Sequence, residues 1–470
     1  MLGGHGSFRR RRLSDGTAAV LALTGAFVQW LPQALGATET WTADSGNWST
    51  AANWNDGAGP VPGNADTVDI TNDDTSNRVI SYDYTGPSVT PEYVTVDNDG
   101  GGDSTLSMAG SGTALTAQYV NVGYSASSTL AGSGILVQSV GAATLSGLDL
   151  GGNAGDRRAY SLSASGTLSI SLGETRGENI GVNGTGIFTQ SGGKNDPGFL
   201  TLGFESGSAG TYSLSGTGQV TSSTEYIGDS GAGAFTQSGG SNSTSNFYLA
   251  YYGGSGNYIL SAGSLTVSTS EEIGSDGAAT FTQTGGKNTA EDLYVGTLNS
   301  TNSSYSLGGS GILTITGAGE RIWGQFYQSG GTNNAGFLVL GSPITTPSYT
   351  YALSGGTVTA DATSIYGSQF NQTGGTASLG TLEGTGTLSV GNAIGGKCGD
   401  NDHRPIAAIF AEHSANGFCA AYRRRKVQCR EFTDHCRRRN AGSGGYAAVN
   451  QLWKQFRSDF RDRQLYCRRL

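Results

Sequence analysis

One string recurs through the second half of this chain and limits what it can fold into. Phe-x-Gln-[Ser/Thr]-Gly-Gly begins at Phe188, Phe235, Phe281 and Phe370, and Phe326 opens the variant Phe-Tyr-Gln-Ser-Gly-Gly, at intervals of 47, 46, 45 and 44 residues. Tyr-x-Leu or its variants fall between these copies at Tyr212, Tyr258, Tyr305 and Tyr351, with an earlier relative at Tyr160. A third element, Glu-x-Ile-Gly, starts at Glu178, Glu225 and Glu271, with Glu320-Arg-Ile-Trp-Gly as a longer variant. The long unit is therefore two similar halves, with one aromatic per roughly 23 residues, which is a solenoid period.

The apolar residues alternate with period two, as in Leu200/Leu202, Tyr212/Leu214, Leu293/Val295 and Leu338/Leu340, and Gly-Gly or Gly-Ser ends each run. Such runs are short strands with one buried face. The 78 Gly of 470 residues oppose helix, yet only 9 Pro and no third-residue Gly period exclude collagen. A coil of about 23 residues cannot bury its apolar face alone, so it must stack on the next. The expected fold is all-β: a right-handed parallel β-helix of about a dozen ~23-residue coils, roughly 55–65 Å long, with the aromatics in a stacked ladder at about 4.8 Å spacing. The strand-plus-Gly runs at Val94, Val120 and Leu148 extend it as degenerate coils. The alternative is a string of separate hairpin domains, each without a core.

Charge divides the chain. Residues 1–37 balance to +3, 38–396 to −21 and 397–470 to +9. A body this acidic argues against nucleic acid and anionic membranes as partners. The span 38–396 has no Cys and no His, so it holds no disulfide, no Cys/His zinc site and no His-dependent triad. Residues 1–37 read as a cleavable export signal: Arg9–Arg12, an apolar stretch from Ala18 to Val28, then Ala34-Leu35-Gly36. No second apolar span is present, so no transmembrane helix is expected in the mature chain. Residues 38–93 form a Trp-rich entry or cap segment, 94–396 the repeats, and 397–470 an unrelated basic tail.

Phe-x-Gln-Ser-Gly-Gly-x-Asn, Leu-x-Leu-Gly and Tyr-x-Leu-Ser-Gly resemble the repeat shared by autotransporter (type V secretion) passengers and PEP-CTERM-sorted surface proteins, over about 94–390. Trp41, Trp48, Trp54 and Pro60-Val-Pro62 look like the entry segment that often precedes such repeats. The resemblance implies a β-helical protein on the surface of Gram-negative type bacteria, without assigned catalysis. Two departures stand out: residues after 396 lack alternating barrel strands, and there is no Pro-Glu-Pro sorting sequence with an apolar anchor.

Candidate chemistry is thin. Glu178, Glu225, Glu271 and Glu320 would lie about 9–10 Å apart on one face. That is near the spacing of inverting glycosidase carboxylates, but a repeated residue reads better as a solvated acidic stripe. Gln190, Gln237, Gln283, Gln328 and Gln372 either point inward, where each needs backbone partners, or outward as an aromatic-and-amide stripe suited to sugars; the regular aromatics favour inward. Asp97-Asn98-Asp99 and Asp103 carry calcium-loop-like acids but read as an acidic turn. Trp41, Trp48 and Trp54 suit capping the first coil better than stacking on sugars. The tail admits three readings: a frameshifted gene model, a genuine basic tail binding an acidic envelope polymer, or a zinc site from Cys429, His435 and Cys436. No catalytic, cofactor or metal residue is assigned. The expected function is an exported cell-surface structural or adhesin-like protein without catalytic activity, with surface polysaccharide or other envelope components as partners. The alternative is a carbohydrate-binding or polysaccharide-active β-helix, for which the scattered basic residues of 38–396 offer no unique cluster beyond Arg157-Arg158.

Overall fold

The computed structural model describes residues 36–124, 133–152, 157–171, 177–297, 302–343, 348–391, 393–397 and 406–407. The signal at 1–37 and the tail at 397–470, including Cys429, His435 and Cys436, lie almost wholly outside them. What is described is a parallel β-solenoid of about 11 turns of ~24-residue coils, as the period predicts.

Each complete coil runs through three strand positions, so the pairing makes three parallel columns. The first contains Glu178–Ile180, Phe199–Leu202 and Thr224–Ile227 in register. The second contains Arg157–Leu162, Thr185–Gln190, Ala209–Leu214 and the start of the long strand Ala232–Leu249. The third contains Thr167–Ile170, Lys194–Pro197 and Gln219–Thr221. Ala232–Leu249 and Ser255–Ile273 pass through all three columns, pairing around the corners with register shifts where the chain bends. Parallel pairing reaches back to Thr38–Thr40, which pairs with Thr67–Asn72, and that strand with Tyr93–Asn98.

The alternation read from sequence appears as alternating burial. In Thr185–Gln190, Gly186, Phe188 and Gln190 face in, while Thr185 and Thr189 face out. Backbone hydrogen bonds between coils set the spacing, and side chains at one register position must then stack. The ladder contains ten rings, Tyr160, Phe188, Tyr212, Phe235, Tyr258, Phe281, Tyr305, Phe326, Tyr351 and Phe370. Successive centroids lie 4.5–5.0 Å apart with planes within 18° of parallel. That separation exceeds face-to-face contact, so neighbouring rings slip into the offset stack that their quadrupoles favour.

The corner after the first column needs a left-handed residue. Gly123, Gly151, Gly181, Gly203, Gly228, Gly274, Gly296 and Gly341 take it with φ of +67° to +82°. A Cβ on Gly228 would stand 2.1 Å from the Ser255 carbonyl oxygen of the next coil, so the corner has no room for a side chain.

At the N-terminal end Trp41, Trp48 and Trp54 are buried. Trp54 meets Trp41 and Trp48 edge-on, each at 5.0 Å, and Trp48 meets Tyr82 at 5.1 Å. The Trp54 indole N–H donates to the Trp48 carbonyl at 2.8 Å. The indoles pack as the end of the hydrophobic interior; they are not a sugar platform. The acids near residue 100 differ from expectation in part: Asp99 lies in the bend that leads to the strand Asp103–Met108, as an acidic turn requires, but its two predecessors do not. Asp97 and Asn98 end the strand Tyr93–Asn98 and are fully buried, so they belong to no acidic turn. Arg158 Nη2 lies 3.1 Å from Asp97 Oδ2, with both side chains sealed from solvent. Its guanidinium passes where a Cβ of Gly123 would stand, 1.4 Å from Arg158 Nε, so the residue at 123 must be Gly for the pair to form.

Candidate functional site

The four repeated glutamates are not a solvated stripe. Glu178, Glu225, Glu271 and Glu320 are all fully buried. The period-two pattern gives the reason. Glu and Ile in Glu-x-Ile-Gly share a strand face, so when Ile180 or Ile227 enters the core the glutamate must follow. The residue between them takes the opposite face: Asn179 and Tyr226 stand there, in register with Thr201 and Tyr248 of neighbouring coils.

Inside, each glutamate meets an asparagine seventeen or fewer residues on, the Asn that ends Phe-x-Gln-x-Gly-Gly-x-Asn. Asn195, Asn242, Asn288 and Asn333 donate through Nδ2 to Glu178, Glu225, Glu271 and Glu320 at 2.8–3.0 Å. The same nitrogens lie 3.1–3.4 Å from the hydroxyls of Tyr212, Tyr258, Tyr305 and Tyr351. Those hydroxyls donate to Oε1 of Gln190, Gln237, Gln283 and Gln328 at 2.5–2.6 Å. The Gln side chains, inward as the sequence favours, donate through Nε2 to the carbonyls of Gln219, Ser264, Ile312 and Thr357 in the next coil, at 2.9–3.1 Å. The relay Glu–Asn–Tyr–Gln–backbone is thus built four times. Gln138 and Tyr160 start a fifth, at 2.5 Å.

This relay explains why the sequence repeats over two coils and not one. The phenol of one coil needs the amide of the coil beneath, so Tyr coils and Phe coils must alternate. Leu214 and Leu260 fill the amide's place in the Tyr coils. Tyr258→Phe is expected to cost about 1–2 kcal/mol, because it strands the buried Gln237 Oε1. Urea unfolding of that variant beside wild type checks it.

Burial raises every one of these carboxyls, Glu178 and Glu271 to about 8 and Glu225 and Glu320 to about 7, against a partial lowering by the asparagine bond. Neighbouring glutamates push Glu178 and Glu271 further up. The hydrogen bonds agree with protonation. Oδ1 of all four asparagines and Oε1 of Glu178 and Glu320 are buried acceptors without a donor. At Glu178 and Glu320 a proton on the unpartnered Oε1 turns that oxygen into a donor, whereas Glu225 Oε1 accepts from Ser222 Oγ at 3.0 Å and both oxygens of Glu271 accept from Asn288 Nδ2. Burial thus favours the neutral carboxyl at all four positions and seals these acids from any substrate. Their geometry is not that of a glycosidase pair.

A cluster of four tyrosines lies on the outer side of the same column. Tyr226 and Tyr248 stack at 5.3 Å, and Tyr251 leans against both at 5.0–5.2 Å. Tyr252 packs on Tyr251 at 4.2 Å and is 68% exposed. Its signal was Ala250-Tyr251-Tyr252-Gly253, where eight other coils place Gly directly after the strand.

The fold and this interior define an all-β parallel solenoid knitted by aromatic and acid–amide ladders. No protein-family model, curated protein or solved structure matches the chain.

Proposed function

We propose that the chain is an exported cell-surface rod with a structural or adhesin-like role and no catalytic activity, of the kind its autotransporter-like and PEP-CTERM-like repeats suggest. The observation that carries this reading is the sealing of the repeat's functional-looking groups inside the rod. Glu, Asn, Gln and Tyr of each copy are consumed by one another, so the repeat specifies a scaffold. Among the described residues no cluster of His, Cys, Asp or Glu is arranged to hold a metal, and no helix is long and apolar enough to cross a membrane. The outer surface, rich in Ser, Thr and Gly with an acidic balance, suits a hydrated envelope polymer as neighbour.

Intact producing cells probed with an antibody against residues 177–297, and treated with an external protease, test the reading. The antibody is expected to bind and the protease to remove the epitope while cytoplasmic marker enzymes survive. Recovery of the chain with those cytoplasmic enzymes, protected from protease, overturns it.

A further inference from the structure

The corner at Ala250 breaks the rule that the rest of the rod obeys. Ala250 adopts φ +59° and Tyr252 φ +37°, two of the six non-glycine residues with positive φ among the described residues. A left-handed aromatic residue is costly, because its Cβ crowds the backbone. Such strain persists only where surrounding structure or function holds it. Here it lifts Tyr251 and Tyr252 off the coil and joins them to Tyr226 and Tyr248.

The result is a track, not an isolated ring. Tyr226 and Tyr248 occupy successive places in one outward register column, followed by Glu272, Tyr294 and Arg321. Arg321 lies over the Tyr294 ring at 5.1 Å and donates to its hydroxyl, which ties up its charge on the protein. Phe204, 39% exposed, holds the Tyr251 corner position two coils nearer the N-terminus: each amide donates to the corner glycine one coil below, Phe204 to Gly181 and Tyr251 to Gly228. Carboxylates border the track. Glu272 is the register neighbour of Tyr248, and Asp229 follows the corner Gly228 of the Tyr226 strand; burial raises both phenols, and these carboxylates add to it.

We propose that this face binds an extended, uncharged β-linked glucan through the Tyr251/Tyr252 platform. The open face of Tyr252 offers an apolar plane for the axial C–H groups of a pyranose. The hydroxyls of Tyr226, Tyr248 and Tyr251 and the carboxylate of Glu272 offer hydrogen bonds to sugar hydroxyls. A row parallel to the rod suits a linear polymer, and the bordering acids repel polyuronates and other anionic chains. The proposal deepens the adhesin reading and rests on it for its biology, but not for its test: glucan binding is measured on purified protein, and surface display on cells.

The test is affinity electrophoresis of the full chain through native gels containing hydroxyethylcellulose or alginate. Hydroxyethylcellulose is expected to retard the wild-type protein and alginate to leave it unretarded. Tyr251→Ala/Tyr252→Ala is expected to weaken retardation at least about tenfold, and Tyr252→Trp, which keeps an apolar plane, to retain it. Melting curves of the variants identify any that fail to fold, in which case Tyr252→Ser alone replaces the double change. No retardation of wild type by hydroxyethylcellulose, equal retardation of a folded variant lacking Tyr252, or preferential retardation by alginate overturns the proposal.

Discussion

Raising the pH from about 5 to about 9 is expected to lower the melting temperature of the rod, and replacing Glu178, Glu225, Glu271 and Glu320 together by Gln to abolish most of that fall. The buried carboxyls titrate near 7–8 in the fold, against 4.5 when free. At pH below 4.5 folded and unfolded chains both hold the proton, and these groups cost nothing. Between 4.5 and their folded values the unfolded chain releases protons that the folded chain keeps, so unfolding gains with every pH step. Above those values the fold must hold a bare, fully buried carboxylate that makes no ion pair with any described cation. Each site is then worth on the order of 3–5 kcal/mol of lost stability. Glutamine is the neutral isostere of the protonated acid: its carbonyl accepts from Asn Nδ2 as the carboxyl does, and its NH2 takes the place of the acid O–H. Glu178→Gln alone, at a site where Oε1 has no partner to lose, is expected to raise stability by about 3 kcal/mol at pH ~9 and to change it by less than about 1 kcal/mol at pH ~4.5. Urea titrations at the two pH values measure it. A wild-type profile that is flat from acid to alkali, or an equal fall in the quadruple variant, removes the claim that these acids are protonated.

The coil period, the strand positions and the aromatic ladder could all be read from sequence, because each follows from local alternation and a fixed strand spacing. Phe188 through Phe370 are regular enough that stacking is the only way one coil can cover the next. The fate of the glutamates was hidden for a related reason. A carboxylate in a polar, Gly-rich chain looks solvated, and nothing within Glu-x-Ile-Gly reveals that an Asn seventeen residues later and a Tyr of the next coil will receive it. The clue was the shared face: Glu225 and Ile227 are two apart in one strand, and their burial is coupled. Asp97 shows the same limit, since its partner Arg158 lies sixty-one residues away and reaches it only because residue 123 is Gly. The tyrosine platform is not legible in the repeat, because it is marked by where the repeat fails, at Ala250.

Phe281→Ala is expected to destabilise the rod by about 3–5 kcal/mol, since it empties a fully buried rung between Tyr258 and Tyr305 and the stacked coils on either side cannot collapse without breaking their shared backbone bonds. The chemistry of the rung is separable from its volume. Phe281→Tyr keeps the ring and adds a hydroxyl, but the residue beneath in register is Leu260, where Tyr258 has Gln237. The new hydroxyl has no amide to meet and is expected to cost about 1–3 kcal/mol. Adding Leu260→Gln supplies that amide. The double variant is therefore expected to recover part of the loss, with a coupling energy of about 1 kcal/mol or more in a double-mutant cycle. Additive losses would mean that the alternation of Tyr and Phe coils is not enforced by the phenol–amide bond. A recovery would show that the two-coil repeat is a hydrogen-bonding rule, rewritable one rung at a time.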